Sequence, residues 1–116
     1  MDICFEGVGQ VAATFQAADG AVKPGQAVTL TAGSTVGLGT AGAALCGVAL
    51  SGVRGGAAAV QIGGAVQVGY SGSAAPAVGW QVLVCDGTGG VKTAEDGVKY
   101  LVLSVDTDGK TAVIKL

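Results

Sequence analysis

Histidine is missing altogether from the 116 residues, aromatic side chains make up 4% of them, and charged side chains 12%, about half the quarter usual in soluble domains. The first absence removes the commonest general base and the commonest metal ligand, so neither catalysis nor a bound cofactor is expected. Positive charge is scarce and dispersed. Lys23, Arg54, Lys92, Lys99, Lys110 and Lys115 stand singly against eight acids, for a net charge of −2. No basic stripe is available to neutralise phosphates, and nucleic acid is not an expected partner. Gly, Gln, Ser or a charge breaks each apolar stretch short of the roughly 20 residues that span a bilayer, so a membrane is not expected either. The opening Met1-Asp2-Ile3-Cys4-Phe5-Glu6 places two acids where a secretion signal carries positive charge, which points to synthesis in the cytoplasm.

Cysteine is sparse too. Cys4, Cys46 and Cys85 are far apart, form no CxxC pair and have no histidine beside them, which disfavours a tetrahedral zinc site. Cys46 and Cys85 fall inside apolar runs and read as small buried hydrophobes.

Glycine is what the chain has in quantity, 22 residues of it, among Ala and Val. Glycine costs about 1 kcal/mol in a helix interior, so at most one helical turn is expected, in 40–45 or 94–99. Period-two alternation is the dominant signal. From Ala58 to Tyr70 the even positions read Ala58, Val60, Ile62, Gly64, Val66, Val68 and Tyr70, a strand pattern with one buried face. Gly63-Gly64 in its middle marks a bulge or sharp bend. Val11 to Gln16 alternates as well, as does Ala27 to Thr31, where Val28 and Leu30 are expected to face inward. Residues 47–50, 81–85, 100–105 and 111–116 are further short β-branched runs bounded by turn residues. Seven or eight such strands imply an all-β domain, a small barrel or a sandwich.

The length suits one domain, drawn here as residues 15–116 preceded by an arm and first-strand region at 1–14. A shift of 54 residues sets Gly25 on Gly79, Val28 on Val82, Gly33 on Gly87, Val48 on Val102, Gly55 on Gly109 and Ala58 on Ala112. Segments 23–62 and 77–116 thus form a weak pseudo-repeat, for which duplication and convergence of a Gly/Ala/Val composition are equally good accounts.

Several short motifs have plainer readings than their letters suggest. Gly37-Leu38-Gly39-Thr40-Ala41-Gly42 matches the dinucleotide fingerprint, but no Asp or Glu stands between Asp19 and Asp86 to hold a ribose, and a glycine-rich loop is expected. Asp86-Gly87-Thr88-Gly89-Gly90-Val91-Lys92 lacks the glycine that precedes the lysine of a phosphate loop, and reads as a hairpin turn. Asp106-Thr107-Asp108-Gly109 opens like a calcium loop, but no acid follows Asp108, so this too reads as a hairpin. The adjacent Glu95 and Asp96 read as a solvated loop. Trp80, with Tyr70 and Pro76, is the one grouping of large side chains. Scarcity of such side chains favours a core position for Trp80, and an interface or glycan-stacking role for Trp80 and Tyr70 is the alternative.

The succession Lys23-Pro24-Gly25-Gln26-Ala27-Val28, Leu45-Cys46-Gly47-Val48-Ala49-Leu50, Ala59-Val60-Gln61-Ile62-Gly63-Gly64, Gly79-Trp80-Gln81-Val82-Leu83-Val84 and Asp86-Gly87-Thr88-Gly89-Gly90-Val91-Lys92 resembles the small capsid decoration, or cement, proteins of tailed bacteriophages and prophages. The resemblance covers about residues 15–116. It implies a small β-barrel or β-tulip domain, a homo-oligomer and most often a trimer, that sits outside the virion shell, binds the major capsid protein and stabilises the head. By position it implies a shell-reaching N-terminal arm, with Ile3, Phe5 and Val8 as its apolar contacts. Composition agrees on separate grounds, because a small core of Ala, Val and Gly gains from burial between subunits. Rival readings are another virion part, such as a head fibre base or a tail protein, and a small carbohydrate-binding module using Trp80 and Tyr70.

Overall fold

The alternating, β-branched segments form strands, and the glycine-rich segments between them form turns. The computed structural model describes residues 10–18, 20–72 and 75–116; Ile3, Cys4, Phe5 and Val8 lie outside the described residues. Among the described residues there are ten strands and no helix, so the fold is all-β. Segments 40–45 and 94–98 are turns and loops.

Five strands close into a barrel: β1 (Val11–Ala17), β2 (Ala27–Ala32), β3 (Thr35–Gly37), β4 (Gly47–Ala49) and β5 (Ala57–Gly63), in the order β1-β3-β2-β4-β5. β1 runs parallel to β3, with Gln16 opposite Thr35, and every other pairing is antiparallel. Closure leaves no strand edge free to pair elsewhere. Val22, Val28, Val36, Ala49, Ala58 and Val60 fill this barrel, backed by Phe15, Cys46 and Val53. The boundary drawn between residues 14 and 15 falls inside β1, which pairs with β5 from Val11 onward.

The remaining strands, β6 (Ala65–Gly69), β7 (Gly79–Cys85), β8 (Val91–Thr93), β9 (Lys99–Asp106) and β10 (Thr111–Lys115), form a second sheet in the order β6-β10-β9-β7-β8. Its outer strands meet at a parallel bridge between Tyr70 and Val91, where Ser71 N donates to Val91 O at 2.9 Å. Read around that bridge, the order β6-β8-β7-β9-β10 has the connectivity of the first barrel, including one parallel contact between its first and third strands. The 54-residue shift sets Val48 on Val102, Ala58 on Ala112 and Val60 on Ile114, all buried.

The two units share packing. Ala27, Leu45 and Val48 join Val66, Val68, Tyr70, Leu83, Val102 and Ile114 in one core cluster, and Ala27 N donates to Gly89 O at 2.8 Å. Between β5 and β6 the chain turns at Gly64, whose φ of 83° suits a residue without Cβ. Gln61 secures this joint: its side chain is buried and Nε2 donates to Gly63 O and Ala65 O, both at 2.9 Å.

Two inward assignments are corrected. Ile62 is 41% exposed because Ala12 pairs with Gln61 and Val11 with Gly63, which leaves Ile62 as the extra residue of a bulge and turns it outward. Leu30 is 54% exposed. It stands one rung past Val28, where Val36 opposite it already closes the core and a register shift follows in β2.

Candidate interaction surface

The short motifs resolve into turns and close packing. At 86–90, joining β7 to β8, Asp86 Oδ1 accepts from Thr88 N at 2.7 Å, Thr88 Oγ1 at 2.9 Å and Gly90 N at 3.0 Å. Burial alone would raise this carboxyl, but the bonds from Thr88, Gly90 and the Ser71 side chain outweigh it and hold Asp86 below the usual carboxylate range. At 106–109, joining β9 to β10, Asp106 Oδ1 accepts from Asp108 N and Gly109 N. Gly37 ends β3, and a loop rather than a helix follows it. That loop lies against β7, with Gly42 N donating to Cys85 O and Cys85 N to Ala43 O. A Cβ on Gly39 would stand 2.9 Å from Cys85 Sγ, so the glycine serves close approach.

Cys46 and Cys85 are free thiols near the seam between the two units. Burial pushes both upward, and the charges of Asp86 and Cys46 add to the effect at Cys85. Tyr100 is likewise pushed up, first by burial, and its hydroxyl donates to Leu45 O at 3.2 Å. Among the described residues no group of three or more His, Cys, Asp or Glu is placed to hold a metal.

The aromatic grouping comes apart. Tyr70 is 7% exposed and belongs to the second core, and Pro76 is buried. Tyr70 is therefore withdrawn as an interface aromatic: its bridge to Val91 draws the ring into the unit that the bridge closes. Trp80 is the reverse case. The core position expected for it is wrong, for the side chain is 64% exposed. Strand alternation explains this, because Leu83 and Cys85 point into the core and Trp80, Val82 and Val84 point the other way.

Trp80 anchors an apolar outer face. Leu101 of β9 lies directly across from it, Lys115 of β10 lies across from Leu101, and Lys99 lies across from Val82. Val78, two residues before Trp80, is 67% exposed, Val98 beside Leu83 at the other end of the pairing is 53% exposed, and Leu101 and Leu103 are half-buried. Gly97 covers the far end of β7: a Cβ there would meet Val82 at 3.1 Å and Val84 at 3.3 Å. The cover stops short of Trp80. The signal for this face was in the sequence: Val82 to Cys85 and Tyr100 to Leu103 are apolar at consecutive positions, as in strands covered on both sides.

Two shallow depressions elsewhere, about 290 Å³ and 180 Å³, adjoin at Gln67 and Thr111. The second includes Asp106, whose carboxylate is already engaged by its own turn.

The architecture defines an all-β protein of two small five-stranded units with an uncovered apolar face. The chain matches no protein-family model and no curated protein sequence.

Proposed function

We propose that this chain is a capsid decoration protein of a tailed phage or prophage. It is made in the bacterial cytoplasm, assembles as a homo-oligomer, most simply a trimer, and binds the major capsid protein on the outside of the shell. Its action is mechanical: several weak, identical contacts made at once by one oligomer hold neighbouring shell subunits together. The resemblance over residues 15–116 supports this reading, as does an all-β body of two interlocked units. One observation carries it furthest. Val11, at the start of β1, is 54% exposed and Ile62 beside it is turned outward by the bulge, which gives the first barrel an exposed apolar pair. Apolar side chains turned out together on the barrel suit a protein partner.

The test is co-sedimentation of the purified chain with shells assembled from the major capsid protein encoded beside it. Saturable binding at a fixed ratio is expected, with Phe5→Glu and Ile62→Glu each weakening it. Failure to bind both compact and expanded shells would reject the reading. The glycan alternative keeps only one of its two rings, because Tyr70 is in the core.

A further inference from the structure

We infer that the bond between Asp96 and Gly97 is a site of spontaneous covalent modification, at which the folded chain converts aspartate to isoaspartate. The inference is independent of the functional reading above.

The chemistry is that of Asp-Gly pairs. The glycine nitrogen attacks the protonated side-chain carboxyl of the aspartate before it; a bond forms from nitrogen to Cγ, and the amide proton and carboxyl hydroxyl leave as water. Water then reopens the cyclic imide. Cleavage between nitrogen and Cγ restores aspartate, whereas cleavage of the original peptide bond leaves isoaspartate, whose main chain runs through Cβ and Cγ beside a free α-carboxylate. Only water is lost and regained. Glycine favours the attack because no Cβ crowds its nitrogen. The chain has no asparagine, the faster source of the same imide, and has four Asp-Gly pairs, of which Asp19 lies outside the described residues.

Attack needs a free carboxyl and a free amide, and two of the other three pairs lack one of them. Asp86 Oδ1 accepts from Thr88 N, Thr88 Oγ1 and Gly90 N, bonds that fix the carboxylate and oppose its protonation. At the 108–109 pair it is the nucleophile that is engaged, since Gly109 N donates to Asp106 Oδ1 at 3.2 Å. Asp96-Gly97 has neither restraint. Both residues are exposed, and among the described residues neither the Asp96 carboxylate nor Gly97 N makes a hydrogen bond. The product changes the surface. Gly97 lies close on β7, where a Cβ would meet Val82 at 3.1 Å and Val84 at 3.3 Å, and isoaspartate lengthens the main chain by one carbon immediately before it. The lengthened loop loses its fit over Val82 and extends the exposed apolar face around Trp80.

The experiment ages the full chain in mildly acidic buffer, once folded and once in urea. Peptides are then separated, and isoaspartate is counted at each pair with protein isoaspartyl methyltransferase and labelled S-adenosylmethionine. In the folded chain Asp96 should isomerise about tenfold faster than Asp86 and Asp108 or more, the change expected from hydrogen bonds that involve a charged group. In urea the three pairs should react at similar rates, because the turns that distinguish them are gone. Substitution is made at 96, since Gly97 has a φ of 146° and no room for a side chain. Asp96→Glu keeps the charge and should abolish the signal from this peptide, and Asp96→Asn should accelerate it with the mass gain of deamidation. The isomerised chain, once purified, should bind more of a hydrophobic dye than the native chain. Equal rates at the three pairs in the folded chain, or an Asp96 rate about tenfold lower when folded than in urea, would overturn the assignment of the site. Equal dye binding would overturn the uncovering of Val82.

Discussion

Gly47 packs its Cα against the carbonyl oxygen of Gln61, leaving no space between β4 and β5 for a side chain. A Cβ on Gly47 would also stand 2.8 Å from Val60 Cγ1, and Val60 is fully buried. Gly47→Ala therefore forces apart two strands of a closed barrel and should cost about 1–3 kcal/mol or more in denaturant unfolding. Gly52→Ala is the control, since nothing lies within 4 Å of its Cβ position, and it should stay within about 0.5 kcal/mol of wild type.

Gln61 is itself the second point of sensitivity. Its amide donates to the carbonyls on either side of Gly64, so Gln61→Leu keeps the volume and takes the side-chain donor away from the part-buried Gly63 O and the buried Ala65 O. The expected loss is about 2–3 kcal/mol. Because the two bonds fasten the joint between the units, the variant should also broaden the unfolding transition. A Leu variant as stable as wild type would show that the joint is held by backbone pairing alone.

Asp86 makes stability depend on pH. Its folded carboxyl sits below the usual range, so the bonds it accepts stabilise the fold fully above about pH 4 and are lost as the pH falls through the folded value. Asp86→Ala should cost about 1 kcal/mol at neutral pH, the group being partly solvated, and should flatten the decline of melting temperature between neutral and acid pH. An undiminished decline would place the acid sensitivity elsewhere.

The alternation from Ala58 to Tyr70 and the glycine pair at 63–64 made β5, β6 and their joint legible before any coordinates, as did the acid-glycine turns at 86–90 and 106–109. The strands that escaped, β3 and β8, have three residues each, too short for a period to declare itself. Ile62 was misassigned because a bulge adds one residue and inverts the face, which alternation alone does not encode. Trp80 was misassigned for a different reason. Counting large side chains favours the core, but the parity of β7 is fixed by Leu83 and Cys85, and parity prevails because turning Trp80 inward would expose both. Partners leave a weaker trace, since the resemblance rests on turns and strands rather than on contact residues.

Burial of the thiols gives the last prediction. Cys85 is buried and Cys46 half-buried, and both are pushed above the usual thiol value of 9.0, so folding holds them protonated and denies reagents the reactive thiolate. In a Cys4→Ser chain at mildly alkaline pH, a disulfide reagent should modify Cys46 more slowly than a free cysteine, and Cys85 only at the rate at which the seam opens. Raising the pH past the usual thiol range should lower stability, because the unfolded thiols ionise first. Denaturant should release both at once, since opening the 37–46 loop that lies on β7 uncovers Cys85 and frees Cys46 in one step. If Cys85 reacts in the native chain as fast as a free cysteine, that loop does not seal the seam.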